Sequence, residues 1–175
     1  MAQENQSVIT LSIPEADSVL SYVRSSFNGD VPLAGVPAHI TLLYPWMPPS
    51  RINETVIAEL ASVFAGSHEF DFTLKVGWFD QEVLLLVPEN PRPFVDLTKA
   101  IINRWPEFPY YGGEYEQIEP HVTLAYGDHD NLSKLAVGIA SQIPVTARAS
   151  FVTLCTGEPG HMTDIANFPL GSANN

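Results

Sequence analysis

The sequence predicts an α+β domain made of two copies of one β-α-β-α-β unit, and three observations predict it. Of its 175 residues, 45% are apolar, enough to bury one substantial core and to set aside disorder or a fibrous repeat. Apolar runs of strand period alternate with stripes of helical period. Two segments also recur: Ile13-Pro14-Glu15 returns as Val87-Pro88-Glu89, and His39-Ile40-Thr41-Leu42 returns as His121-Val122-Thr123-Leu124.

The elements follow in chain order. Residues 8–13 form a short β run stopped by Pro14. Over 16–27 the apolar positions Val19, Leu20, Val23 and Phe27 make a helical stripe, and Asn28-Gly29 stops it. Residues 39–44 are a second strand framed by Pro37 and Pro45. Asn53 caps a helix running to 65, with Val56, Ile57, Leu60, Val63 and Phe64 on its buried side. Residues 70–79 alternate as a strand, and 83–87 pairs with it or near it. A helix over 94–102, a strand over 121–126 after Pro120, and a helix over 132–143 capped at Asp130 or Asn131 come next. Strands at 147–154 and 165–170 close the chain. Residues 8–79 therefore read β-α-β-α-β, and 83–154 read the same, with one strand added.

The fifteen prolines, well above the usual ~5% of residues, stand between apolar runs as punctuation and form no linker. One domain is expected over 1–175, its repeats at 8–79 and 83–170. The repeat offsets are 74 at the first shared segment and 82 at the second, so eight extra residues precede the second histidine. They fall in 105–119, a loop rich in Pro, Gly and Tyr, and long loops in compact domains are usually functional.

Twenty acidic against eight basic residues give a net charge of −12, which excludes an electrostatic grip on a long phosphate backbone but leaves room for a small anion held by local donors. The lone Cys155 excludes an internal disulfide and a Cys-rich zinc module, and suits a reducing compartment. Residues 1–7 are polar and lack the pattern of a secretory leader, and no apolar run approaches the ~18 residues of a membrane span. A soluble, cytoplasmic monomer is expected, with no membrane partner.

The chemical signal lies in the histidines. In an extended strand alternate side chains share a face, so His39 and Thr41 point one way while Ile40, Leu42 and Tyr44 point the other. The same pattern sets His121 and Thr123 against Val122, Leu124 and Tyr126. A pseudo-twofold repeat brings the two polar faces together across one groove. Two imidazoles facing each other suit phosphodiester chemistry without a metal: one takes a proton from the attacking oxygen, the other protonates the leaving oxygen, and the threonine hydroxyls donate to the non-bridging oxygens.

A single H-x-T is a weak pattern, and the chain supplies its own control in His161-Met162-Thr163. That copy follows the turn signal Glu158-Pro159-Gly160 and precedes its apolar run, so His161 reads as a loop or strand-opening residue. His68 reads as exposed, and His129, between Asp128 and Asp130, as a solvated helix-start residue lacking further metal ligands at a recognised spacing.

The segments Pro37-Ala38-His39-Ile40-Thr41-Leu42-Leu43-Tyr44-Pro45 and Glu119-Pro120-His121-Val122-Thr123-Leu124-Ala125-Tyr126-Gly127 resemble the paired motifs of the two-histidine (2H) phosphoesterase superfamily, which includes the bacterial 2′-5′ RNA ligase-like proteins and the cyclic nucleotide phosphodiesterases. The likeness covers residues 8–170. It implies a bilobal fold with antiparallel sheets around a central groove, no metal and no nucleotide cofactor. It implies hydrolysis of 2′,3′-cyclic phosphates, usually to the 2′-phosphate, or the making and breaking of 2′-5′ linkages. By position, His39 and His121 are the implied acid and base, and Thr41 and Thr123 the implied phosphate-binding hydroxyls.

One departure bears on the substrate. Relatives that act on RNA ends often carry a basic residue soon after the second motif, where this chain has Ala125-Tyr126-Gly127-Asp128. With the acidic balance, this favours a small nucleotide or another small cyclic phosphodiester over long RNA, with RNA ends still a candidate. Arg51 is the nearest cation after the first motif, and a solvated loop position is the simpler reading of it. For stacking, Trp46 is expected to turn back toward the groove, and Tyr110, Tyr111 and Tyr115 to form a wall or lid beside Gly112-Gly113. Tyr44 and Tyr126 are expected to pack on the far face. Two alternatives stay open: a catalytically silent binding module of the same fold, and a metal hydrolase using His39, His121 and a carboxylate.

Overall fold

The computed structural model describes residues 6–32, 35–158 and 161–171. Its eight strands are β1 (Ser7–Ser12), β2 (His39–Leu43), β3 (Phe70–Phe79), β4 (Val83–Pro88), β5 (Val122–Tyr126), β6 (Val145–Ala149), β7 (Phe151–Glu158) and β8 (His161–Pro169). The helices are α1 (Asp17–Ser26), α2 (Glu54–Ala65), α3 (Arg92–Arg104) and α4 (His129–Ile139). The strands form two four-stranded antiparallel sheets, ordered β2-β1-β7-β8 and β5-β4-β3-β6.

The two sheets match strand for strand, and the match crosses the repeats. β1 and β2 sit as β4 and β5 do, but β3 of the first repeat joins the second repeat's sheet, and β7 of the second repeat joins the first. The helices exchange likewise, α1 packing on β5 and α3 on β2. Each half of the sequence thus supplies structure to both halves of the molecule.

Local chemistry explains most boundaries. The Asn53 side chain accepts from the Val56 N–H at 3.0 Å, capping α2 where expected. The fourth helix starts earlier than its apolar stripe suggests, because Asp128 is the cap and accepts from the Asn131 N–H at 3.0 Å. Those Asn131 hydrogen bonds hold the Asp128 carboxyl below its usual pKa. The expected strand 147–154 is two strands: the chain leaves one sheet at Ala149 and enters the other at Phe151, with Ser150 between them. β8 starts at His161, four residues before the expected strand, and the Pro159-Gly160 part of the expected turn lies outside the described residues.

The core is continuous between the sheets and the helices. It includes Ile9, Leu11 and Leu154 from the first sheet, Leu74, Leu84 and Leu124 from the second, and Val19, Leu60, Phe94 and Ile139 from the four helices. Among the described residues no helix is long and apolar enough to cross a membrane.

Candidate active site

The site lies where two edge strands meet. β2 and β5 are the outer strands of their sheets and approach one another. His39 and Thr41 from β2, with His121 just before β5 and Thr123 on it, line one cavity of about 330 Å³, together with Asp30, Pro32, Tyr111 and Tyr126.

Both histidines are held in the same way. His39 Nδ1–H donates to the Pro37 carbonyl at 2.9 Å, and His121 Nδ1–H donates to the Glu119 carbonyl at 2.7 Å. A carbonyl oxygen only accepts, so the ring proton sits on Nδ1 and the neutral imidazole keeps a lone pair on Nε2, on the far side of the ring from its anchor. Each anchor lies two residues upstream of its histidine, so one local geometry is built twice.

The strands share a second device. Thr10 pairs with Thr41 and Ile9 with Leu43, so Leu42 is an extra residue; Leu85 pairs with Thr123 and Leu84 with Ala125, so Leu124 is its counterpart. Each bulge inserts a buried leucine and reverses the alternation beyond it. Tyr44 and Tyr126 therefore leave the far face to which simple alternation assigned them. Tyr126 lines the site, and Tyr44 is exposed with its ring edge-on to Tyr111 at 6.4 Å between centroids. The signal was present in the sequence, since each motif carries two consecutive apolar residues before its tyrosine.

Reciprocal loop contacts set the walls. The Tyr126 N–H donates to the Asp30 carbonyl and the Tyr111 N–H to the Tyr44 carbonyl, both at 2.8 Å, so the loop after α1 reaches β5 and the loop after α3 reaches β2. Arg24 donates to the Pro32 and Val36 carbonyls at 3.1 and 2.6 Å, and Asp17 accepts the Ala38 N–H at 2.7 Å, fixing the segment that leads into His39. On the other side, Tyr111 at φ 46° precedes Gly112 and Gly113 at φ 65° and 85°, a tight left-handed turn that glycine makes without strain and tyrosine does not. Burial, ahead of the neighbouring tyrosines, pushes the Tyr111 pKa upward, against a smaller lowering by Thr41.

The other expected contacts divide. Tyr110 is buried, donates to the Glu119 carbonyl at 3.4 Å and lines, with Tyr111 and Tyr115, a cavity on the His121 side. Trp46 does not reach the groove. It is 1% exposed and packs edge-on against Trp105 and Phe108, because the chain beyond Pro45 turns into the core. Arg51 lies away from the cavity, paired with Glu107 at 3.6 Å over the Phe108 ring. His161 opens β8 outside the groove, and His129 packs on Trp78 at 5.0 Å. Burial, then Asp164, pushes the Cys155 thiol up to about 11, which makes it a poor nucleophile. Among the described residues no three His, Cys, Asp or Glu side chains are grouped to hold a metal ion. Asp30, Trp78 and Phe79, which sequence reasoning did not single out, line the site or its extension; nothing in their local pattern marks them.

No curated protein matches the chain. Solved structures do. TT0787 of Thermus thermophilus is 16% identical, with 97% of this chain and 100% of that one covered and a TM-score of 0.69. Escherichia coli LigT, in a crystal structure complexed with 3′-AMP, is 15% identical over the same shares with a TM-score of 0.63. Kluyveromyces marxianus Usb1 is 14% identical, over 95% of this chain and 99% of its own, with a TM-score of 0.52. At these identities the likeness is one of fold. The sequence pattern of the 2′-5′ RNA ligase superfamily, by contrast, matches residues 14–158, both histidine strands included. The chain belongs to the 2′-5′ RNA ligase superfamily.

Proposed function

We propose that this protein is a phosphodiesterase that hydrolyses 2′,3′-cyclic phosphates or 2′-5′ linkages of small nucleotides, with His39 and His121 exchanging protons and no metal required. The observation that carries this reading is the matched pair of imidazoles in one cavity, each with Nδ1 anchored on a backbone carbonyl and Nε2 left for chemistry. One neutral Nε2 removes a proton from water as its oxygen forms a bond to phosphorus. The opposite imidazolium gives its Nε2 proton to the ribose oxygen as the P–O bond breaks. Thr41 and Thr123 donate to the non-bridging oxygens, whose charge grows in the transition state. The product is a phosphate monoester with a free hydroxyl, and the two imidazoles finish with their protonation exchanged.

The crystal structures of E. coli LigT complexed with 3′-AMP, with phosphate and with NADP+ support a small-nucleotide substrate here. The decisive assay is phosphorus NMR in excess EDTA on 2′,3′-cyclic nucleotides, a 3′,5′-cyclic nucleotide and a 2′-5′-linked dinucleotide, with the His39→Ala/His121→Ala double variant alongside. Turnover by the wild type alone is expected, and the position of the product phosphate identifies the bond broken. Activity lost in EDTA and restored by a divalent cation contradicts the metal-free reading, and nucleotide binding without any turnover indicates a silent module.

A further inference from the structure

The groove does not end at its histidines. A second cavity of about 540 Å³ opens on the His121 side, and Tyr111, His121, Thr123 and Tyr126 belong to both. Its outer wall is aromatic, with Trp78 and Phe79 at the end of β3 and Tyr115 from the loop before β5. Trp78, Phe79, Tyr115 and Tyr126 are 37%, 41%, 44% and 45% exposed. An apolar surface gathered this way beside a polar cavity marks a binding surface. The rings are linked edge to face, Phe79 to Tyr115 at 6.3 Å and Tyr115 to Tyr111 at 5.5 Å, so they form a continuous wall from the rim to the groove.

The charge of these walls has one sign. Glu116 and Glu119 line the second cavity and Asp30 the first, while none of the eight Lys and Arg residues lines either. The arginines are committed elsewhere: Arg51, Arg92, Arg104 and Arg148 pair with carboxylates, and Arg24 holds the loop at Pro32 and Val36. A single phosphodiester charge between the histidines meets an imidazolium and two hydroxyls. A further phosphate on the same ligand meets carboxylates and no cation.

Building on the two-histidine reading, we infer that the aromatic cavity is the nucleoside subsite and that it takes a nucleoside bearing no phosphate of its own. The substrate class is then a monoanionic phosphodiester with a free 5′-hydroxyl, such as a nucleoside 2′,3′-cyclic phosphate. Chemistry that leaves a 2′,3′-cyclic end on a nucleoside without a 5′-phosphate must supply it.

The test is steady-state kinetics on adenosine 2′,3′-cyclic phosphate, the same compound carrying a 5′-phosphate, and glycerol 1,2-cyclic phosphate, which has no ring to stack. The 5′-phosphate is expected to lower kcat/KM at least about tenfold at low ionic strength, with the gap closing as salt rises. Phe79→Ala is expected to raise KM for the adenosine substrate about tenfold, within the range for loss of one stacking partner, and to narrow its advantage over the glycerol compound. Equal or better use of the 5′-phosphorylated compound, or an unchanged KM in Phe79→Ala, overturns the inference. If none of the three is turned over, the cyclic-phosphate form of the two-histidine reading fails by itself, and calorimetric titration decides the subsite separately: adenosine 3′-monophosphate should bind more tightly than adenosine 3′,5′-bisphosphate, and the reverse order overturns it.

Discussion

One hydrogen bond to a backbone carbonyl decides what each imidazole can do. With Nδ1–H committed to Pro37 or Glu119, each ring is held in a single tautomer, and only Nε2 can accept or deliver a proton. The threonines are a different kind of group, since a hydroxyl donates without changing its charge. Thr41→Val or Thr123→Val should therefore lower kcat by about tenfold, well short of losing a histidine, in steady-state turnover of a cyclic nucleotide. An unchanged kcat in both variants removes the threonines from the chemistry. These four residues were legible in the sequence because the repeat singled them out from the third H-x-T. Trp46 was not, because nothing local says which way a chain turns after Pro45, and burial against Trp105 depends on a residue 59 positions further along.

At the scale of elements, the two bulges aim the site. A bulged residue leaves the ladder, and its carbonyl must find another partner. At Leu42 the partner is Thr98 of α3, whose buried hydroxyl donates to that carbonyl at 2.8 Å. Thr98→Val keeps the shape and removes the donor, so it should destabilise the protein by about 1–3 kcal/mol in urea unfolding. A midpoint within error of the wild type shows that the carbonyl has another partner. The elements themselves were mostly legible from period and breakers, and β3 was read to the residue. The bulges could have been read from the two consecutive apolar residues before each tyrosine, but two features were hidden: the split at Ser150, which carries neither Gly nor Pro, and the start of α4, where a polar first turn masks the helix.

At the scale of the molecule, the exchange of β3 and β7 between halves and the crossed loop contacts place two edge strands side by side. The repeat itself was visible in the sequence, but this crossing was not, because strand pairing is long-range and period alone does not choose a partner. The Tyr126–Asp30 and Tyr111–Tyr44 backbone hydrogen bonds tie each wall of the groove to the opposite repeat. In the proposed mechanism one histidine from each repeat works on the same phosphorus. The most direct test is to measure kcat and nucleotide Kd for His39→Ala and His121→Ala separately. Each variant should lose about 10²-fold or more in kcat while its Kd stays near the wild-type value. Wild-type turnover in either variant contradicts proton exchange between the two histidines.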